Sequence, residues 1–103
     1  MVTVFKPALP ISEKAFMAQV IELAKLYGWL HFHVYNSRNS PAGWPDLVLV
    51  RPPHALFVEV KTDTGRLTPA QRMWLGALEQ CQGLECCVWR PSQWDEIVEC
   101  LKR

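Results

Sequence analysis

An α/β fold, with a mixed sheet of about four strands flanked by helices, is predicted by three features of this 103-residue sequence. Two apolar runs, Leu47–Val50 and Ala55–Val60, stand on either side of Pro52-Pro53, which reads as a hairpin. Two longer stretches, 13–27 and 69–81, carry apolar residues at helical spacing. The second of these lies between the third strand and a fourth. It is long enough for a right-handed crossover to a parallel strand. The predicted order is αβββαβα.

Residues 1–10 carry two prolines and no periodic pattern, and read as an N-terminal arm; residues 11–103 read as one domain. Ser12 is an N-cap residue, Glu13 sits in the first turn, and Ile11 and Phe16 are spaced for a hydrophobic staple. Phe16, Val20, Leu23, Ala24 and Tyr27 form one stripe, and Gly28 stops the helix. The alternation from Trp29 to Tyr35 predicts a first strand. Leu30, Phe32 and Val34 share one face, with His31 and His33 on the other. The histidine face either packs on a helix or lines the site. Asn36–Pro45 is the longest polar connection, and Gly43 within it permits close approach or positive φ.

After the hairpin, Thr68-Pro69-Ala70-Gln71 has the residues of a capping box with proline at the first helical position. Met73, Trp74, Ala77, Leu78 and Cys81 are expected on the inner face of this helix, and Gly83 ends it. Leu84–Arg90 reads as the fourth strand. Pro91-Ser92 opens a last helix capped by Ser92, with Trp94, Ile97, Val98 and Leu101 apolar. The five tryptophans fall mostly at core positions without interleaved basic residues, which argues against a base-stacking platform. Trp44, in the loop beside Asp46, is the exception.

Half the residues are hydrophobic and a fifth charged, so one globular core is expected. A net charge of +1 does not by itself announce a nucleic-acid binder. No run is apolar enough to cross a bilayer, and no secretory leader pattern is present, so a cytoplasmic protein without membrane contact is expected. Cys81, Cys86, Cys87 and Cys100 form no C-x-x-C pair, so no zinc is expected and buried, reduced thiols are. His54, in the turn, is expected in solvent.

The chemistry concentrates in the hairpin. If Val50 faces Ala55, Asp46 falls opposite Glu59, with Cβ atoms roughly 5 Å apart. Alternation puts Glu59 and Lys61 on one face and Val58 and Val60 on the other. A slip by one residue would scatter the set. Two adjacent carboxylates stay ionised together only beside a positive charge, and a hard divalent cation suits them. A lysine there can orient water or stabilise a charged transition state. That set suits phosphodiester hydrolysis. The bland reading is a solvated strand face; Pro-Asp and Glu-x-Lys at hairpin spacing weigh against it.

Gly43-Trp44-Pro45-Asp46, Glu59-Val60-Lys61, Thr64-Gly65-Arg66-Leu67-Thr68 and Gln71 together resemble the VRR-NUC family of the PD-(D/E)XK nuclease superfamily, over nearly the whole chain from Glu13 to Trp89 and Arg90-Pro91. The resemblance implies a restriction-endonuclease-like core and a Mg²⁺-dependent DNA endonuclease of small bacterial or phage type, with Mn²⁺ as a substitute. It implies Asp46, Glu59, Lys61 and Gln71 as the catalytic set, and Asp46, Glu59 and the Val60 carbonyl as metal ligands. Glu13 would join directly or through water; its other reading is a first-turn carboxylate. Gln71 is expected either to cap its helix or to face the site, one rotamer being unable to do both. Ser37, Arg38 and Ser40 in the polar loop, with Arg66 and Arg72, are candidate DNA contacts, with solvated surface as the alternative. Branched DNA, four-way junctions above all, is the implied substrate. Paired cuts then call for a homodimer. The alternatives are a flap, single-strand or nicking nuclease of a phage or restriction system, and a catalytically silent DNA-binding subunit.

Overall fold

The computed structural model describes residues 4–34 and 40–103. The elements are α1 (Glu13–Leu26), β1 (Leu30–His33), β2 (Leu47–Arg51), β3 (His54–Val60), α2 (Pro69–Glu79), β4 (Glu85–Trp89) and α3 (Trp94–Lys102). The four strands form one sheet in the order β1-β2-β3-β4. β1, β2 and β3 are antiparallel neighbours, and β4 runs parallel to β3 after the α2 crossover.

The hairpin closes at Pro52-Pro53, with Arg51 paired to His54, Val50 to Ala55 and Leu47 to Val58. This is the register expected from the sequence. It puts Leu47, Leu49, Leu56, Val58 and Val60 on one face, all fully buried. Phe16, Val20, Leu23 and Ala24 of α1 close over them, with Trp94, Ile97 and Leu101 of α3. α2 lies on the opposite face, where Trp44 meets Phe57 and Trp74 edge-on at 6.0 and 5.1 Å between ring centroids.

Ser12 caps α1 through the Ala15 N–H, and Gly28 follows the helix with φ at 83°. Arg51 donates to the carbonyls of Tyr27 and Leu101, and the Trp29 indole N–H also reaches Leu101. Those bonds satisfy carbonyls that helix ends otherwise leave open. Val4 packs against the core and Pro7 is buried, so the described part of the N-terminal segment lies on the domain.

Several sequence expectations need correction. Leu30 and Phe32 are 71% and 64% exposed, because β1 is the sheet's edge and α2 does not extend over it. Of the two expected placements of the β1 histidines the helix side holds, since His31 pairs with Leu49 and His33 with Leu47. In α2 the inward stripe is Gln71, Trp74, Leu75 and Leu78; Met73, Ala77 and Cys81 are exposed. The last helix begins with a 3-10 turn at Pro91–Gln93, and Ser92 gives its N–H to Asp63 instead of capping. His54 is half-buried beside Trp29 and 3.5 Å from Glu85. Cys87 and Cys100 pack on the core as expected, and burial pushes the Cys87 thiol up to about 12, whereas Cys81 is exposed.

Candidate active site

Strand alternation does most of the construction. Asp46 precedes β2 by one residue, and Glu59 is one residue beyond the partner of Leu47. Both therefore emerge on the α2 face, one step past the last ladder pair. Asp46 Oδ2 accepts the Val60 N–H at 3.1 Å. The N–H and C=O of one strand residue point the same way, so this bond also turns the Val60 carbonyl toward Asp46. Lys61, two residues after Glu59, returns to the same face. Its Nζ lies 3.6 Å from Glu59 Oε1.

The site is largely withdrawn from water. Glu59 is 1% exposed and Lys61 9%. Burial, and next the Asp46 carboxylate, push the Glu59 carboxyl up to about 8, while the Lys61 ammonium pulls it down. Glu59 Oε1 has two positive or donating neighbours, Lys61 and Gln71. Glu59 Oε2 is buried and receives no hydrogen bond from any described donor. A buried carboxylate oxygen without a donor is costly. A divalent cation between Asp46 and Glu59 would remove both that cost and the repulsion, so the donor set fits a hard metal ion.

Gln71 fills both of its expected roles at once, which corrects the expectation that they exclude each other. Its Oε1 accepts the Thr68 N–H at 2.8 Å, and its Nε2 donates to Glu59 Oε1 at 2.8 Å. The Thr68 hydroxyl completes the box by accepting the Gln71 N–H. The two ends of one amide are separate, and the obligate donor at Thr68 fixes which end faces Glu59. A glutamate at this position would keep the box but add a carboxylate against Glu59. We therefore expect Gln71→Glu to stay folded but melt below the wild type by circular dichroism, and to lose at least about tenfold in cleavage. Gln71→Ala should lose about 1 kcal/mol of stability as well.

The helix bearing Gln71 is held by the loop bearing Asp46. Gly43 has φ at 86°, and a Cβ there would collide with the Ala70 carbonyl and lie 2.7 Å from the Gln71 nitrogen. Gly43→Ala is expected to cost about 2 kcal/mol in a denaturant titration, from the positive φ and the collision together. It should also slow cleavage by displacing Gln71.

Sequence reasoning missed the fastening of the loop after Lys61. The Arg90 guanidinium donates to the carbonyls of Thr62 and Gly65 at 2.6 and 2.7 Å, and Asp63 accepts the Ser92 N–H at 2.9 Å. The Lys61 N–H itself bonds the Trp89 carbonyl at 3.0 Å. The only sequence signal was an arginine directly after an apolar strand, which surface placement explains equally well.

Glu13 is half-buried and lines a groove with His33 and Val34. Among the described residues no three His, Cys, Asp or Glu side chains gather as a metal cluster, so Glu13 stands apart from the Asp46–Glu59 pair. Ser40 is half-buried at a bend, and Arg66 and Arg72 are exposed. Ser37 and Arg38 lie outside the described residues. Among the described residues no helix is long and apolar enough to cross a membrane.

The family model of the VRR-NUC domain matches residues 12–90. Two solved structures, described as a VRR_NUC domain and a VRR_NUC domain protein, are similar at TM-scores of 0.69 and 0.66. Their identities are 22% and 21%. The first match covers 84% of this chain and 94% of that one, the second 89% and 86%. A third is Archaeoglobus fulgidus Hjc, a Holliday junction resolvase from an archaeal hyperthermophile. It matches at TM-score 0.53 and 24% identity over 76% of this chain and 67% of that one. No curated protein matches. These likenesses agree on a restriction-endonuclease-like fold.

Proposed function

This chain belongs to the VRR-NUC domain family of nucleases, and on that premise we propose that it is a metal-dependent endonuclease acting on branched DNA. The observation that carries the reading is buried Glu59 paired with half-buried Asp46, with Lys61 against it. Asp46, Glu59 and the Val60 carbonyl would hold Mg²⁺ or Mn²⁺, with Glu13 reaching it only through water. When bound, such an ion polarises the scissile phosphate and makes neighbouring water more acidic.

The chain's own residues supply the rest. Lys61 places a positive charge where the attacking water and the phosphate oxygens must sit, inside a site that admits little bulk solvent. Gln71 holds Glu59 Oε1 through its amide and leaves Oε2 without a donor, so that oxygen would be free to help hold the ion. Arg66 and Arg72 at the loop and helix beside the site, with Ser37, Arg38 and Ser40, would take the flanking phosphates. Cleavage would leave a 5′-phosphate and a 3′-hydroxyl, the pattern implied by the superfamily.

A four-way junction is the proposed substrate. One chain carries one such site, and resolving a two-fold junction takes two cuts, so the working form would be a homodimer. The test is cleavage of end-labelled four-way junction, flap and linear duplex in Mg²⁺. Symmetric paired cuts in the junction are expected, with duplex largely spared. Cutting of flaps alone would move the activity to a flap or nicking nuclease. Binding of all three with no cutting would mark a silent DNA-binding subunit.

A further inference from the structure

We propose that Arg90 is a positioning residue for the site: by gripping the turn after β3, it fixes the Lys61 ammonium against Glu59. The inference deepens the proposed nuclease site and rests on that reading only for the effect on cleavage.

The sheet places the two cations side by side. Val60 pairs with Trp89 in the parallel ladder, and the Lys61 N–H bonds the Trp89 carbonyl at 3.0 Å. Arg90 stays extended, with φ at −123° and ψ at 151°. Alternation therefore brings its side chain to the face that Lys61 occupies. Like charges so placed repel unless one is engaged elsewhere. Arg90 is engaged: one of its guanidinium nitrogens donates to the Thr62 and Gly65 carbonyls, at 2.6 and 2.7 Å. Among the described residues Lys61 is then the cation that reaches Glu59, at 3.6 Å.

The grip acts on the lysine through the turn. The Gly65 N–H donates to the Thr62 carbonyl at 3.2 Å and closes it. The Gly65 backbone lies along the lysine stem: a Cβ there would be 3.5 Å from Lys61 Cδ and 3.1 Å from Thr62 Oγ1. Asp63 and Thr64 at the tip are exposed, and the turn borders an open groove beside Ile11 and Pro91. Its hold is therefore polar, made by Arg90 and by the bond from the Ser92 N–H to Asp63. Arg90 is itself anchored. Its N–H donates to Gln93 Oε1 and its carbonyl accepts the Gln93 N–H, both at 2.9 Å. Lysine carries its charge on a flexible four-carbon stem, so the wall along that stem decides where the ammonium sits.

The test compares Arg90→Met, which keeps bulk without a donor, with Arg90→Lys, which restores a nitrogen able to donate to both carbonyls. Each is made alone and in the Lys61→Met background. The readouts are circular dichroism melting, DNA affinity, single-turnover cleavage of an end-labelled four-way junction in Mg²⁺, and acetic anhydride labelling of Lys61 read by mass spectrometry. We expect Arg90→Met to keep its DNA affinity and to lose about ten- to a hundredfold in cleavage rate at saturating DNA. Arg90→Lys should recover most of that rate. In the Lys61→Met background Arg90→Met should cost nothing further, because both changes act through one ammonium. Lys61, 9% exposed in the wild type, should be acetylated faster in Arg90→Met. Should Arg90→Met unfold, Arg90→Lys carries the comparison, its loss of rate and its gain in Lys61 labelling moving together. An unchanged rate in Arg90→Met overturns the inference, as does a fall in rate with Lys61 labelling unchanged. A further loss in the Lys61→Met background also overturns it. So does weakened DNA binding at full rate, which would make Arg90 a phosphate contact. If no protein cuts any DNA but Arg90→Met still unmasks Lys61, the positioning stands and the nuclease reading falls.

Discussion

Glu59→Gln is expected to reduce cleavage by about a thousandfold or more while making the metal-free protein more stable at alkaline pH. The two effects share one cause. Glu59 is almost fully buried beside Asp46, and its carboxyl is pushed up to about 8 from an ordinary 4.5. Between those values the folded protein keeps a proton that the unfolded chain has released. Stability from this group is therefore fully present below about 4.5 and lost as pH rises through 8. Each unit of separation corresponds to about 1.4 kcal/mol, so the penalty at pH 9 is several kcal/mol before relaxation. Glutamine removes the titration but keeps the shape. Its oxygen still accepts the Gln71 amide and its NH₂ faces Asp46. The variant should melt above the wild type at pH 9 in EDTA and near it at pH 5. Mg²⁺ should raise the wild-type melting temperature at pH 9 and leave the variant unmoved. A wild type that gains stability from pH 5 to 9 without metal would contradict this electrostatic account.

Lys61→Ala carries the second large effect. The ammonium lies 3.6 Å from Glu59 Oε1 and is itself 9% exposed, so it acts in a medium where charge is weakly screened. Its removal would take away the positive charge proposed to act on the reacting phosphate, worth about a hundred- to a thousandfold in rate. It also removes the group that holds the Glu59 proton affinity down. The pH at which Mg²⁺ can displace that proton should therefore rise. In the variant, residual cleavage should shift toward higher pH as well as fall. Lys61→Met, which keeps the bulk, should behave the same way. If either variant cleaved at the wild-type rate, Lys61 would be a structural partner of Glu59 and nothing more.

The hairpin was readable because two prolines leave little choice of turn. With Arg51 and His54 closing it, the pairing of every residue back to Leu47–Val58 is determined. Asp46, Glu59 and Lys61 then share a face by alternation alone. β1 shows where that logic stops. Its alternation was correct, but alternation does not say which face a helix covers. On an edge strand the apolar side chains stayed outside. The inner stripe of α2 was displaced for a similar reason: Gln71, Trp74, Leu75 and Leu78 are as helical in spacing as the set expected. Trp74 and Leu78 belong to both sets; the bond of Gln71 to Glu59 and the burial of Leu75 decide between them. The dual role of Gln71 depended on a rotamer, and the grip of Arg90 on Thr62 and Gly65 on a contact 25 to 28 residues away in sequence. Neither leaves a periodic trace.

Cleavage of one end-labelled branched DNA tests the central claim most directly. It would be followed for the wild type in Mg²⁺, the wild type in EDTA, and Glu59→Gln and Lys61→Ala in Mg²⁺. The account predicts full product in the first reaction, none in EDTA and about a hundredfold or greater loss in both variants, with all three proteins folded by circular dichroism. Product in EDTA, or from Glu59→Gln at the wild-type rate, would contradict a metal-dependent site built on Asp46, Glu59 and Lys61.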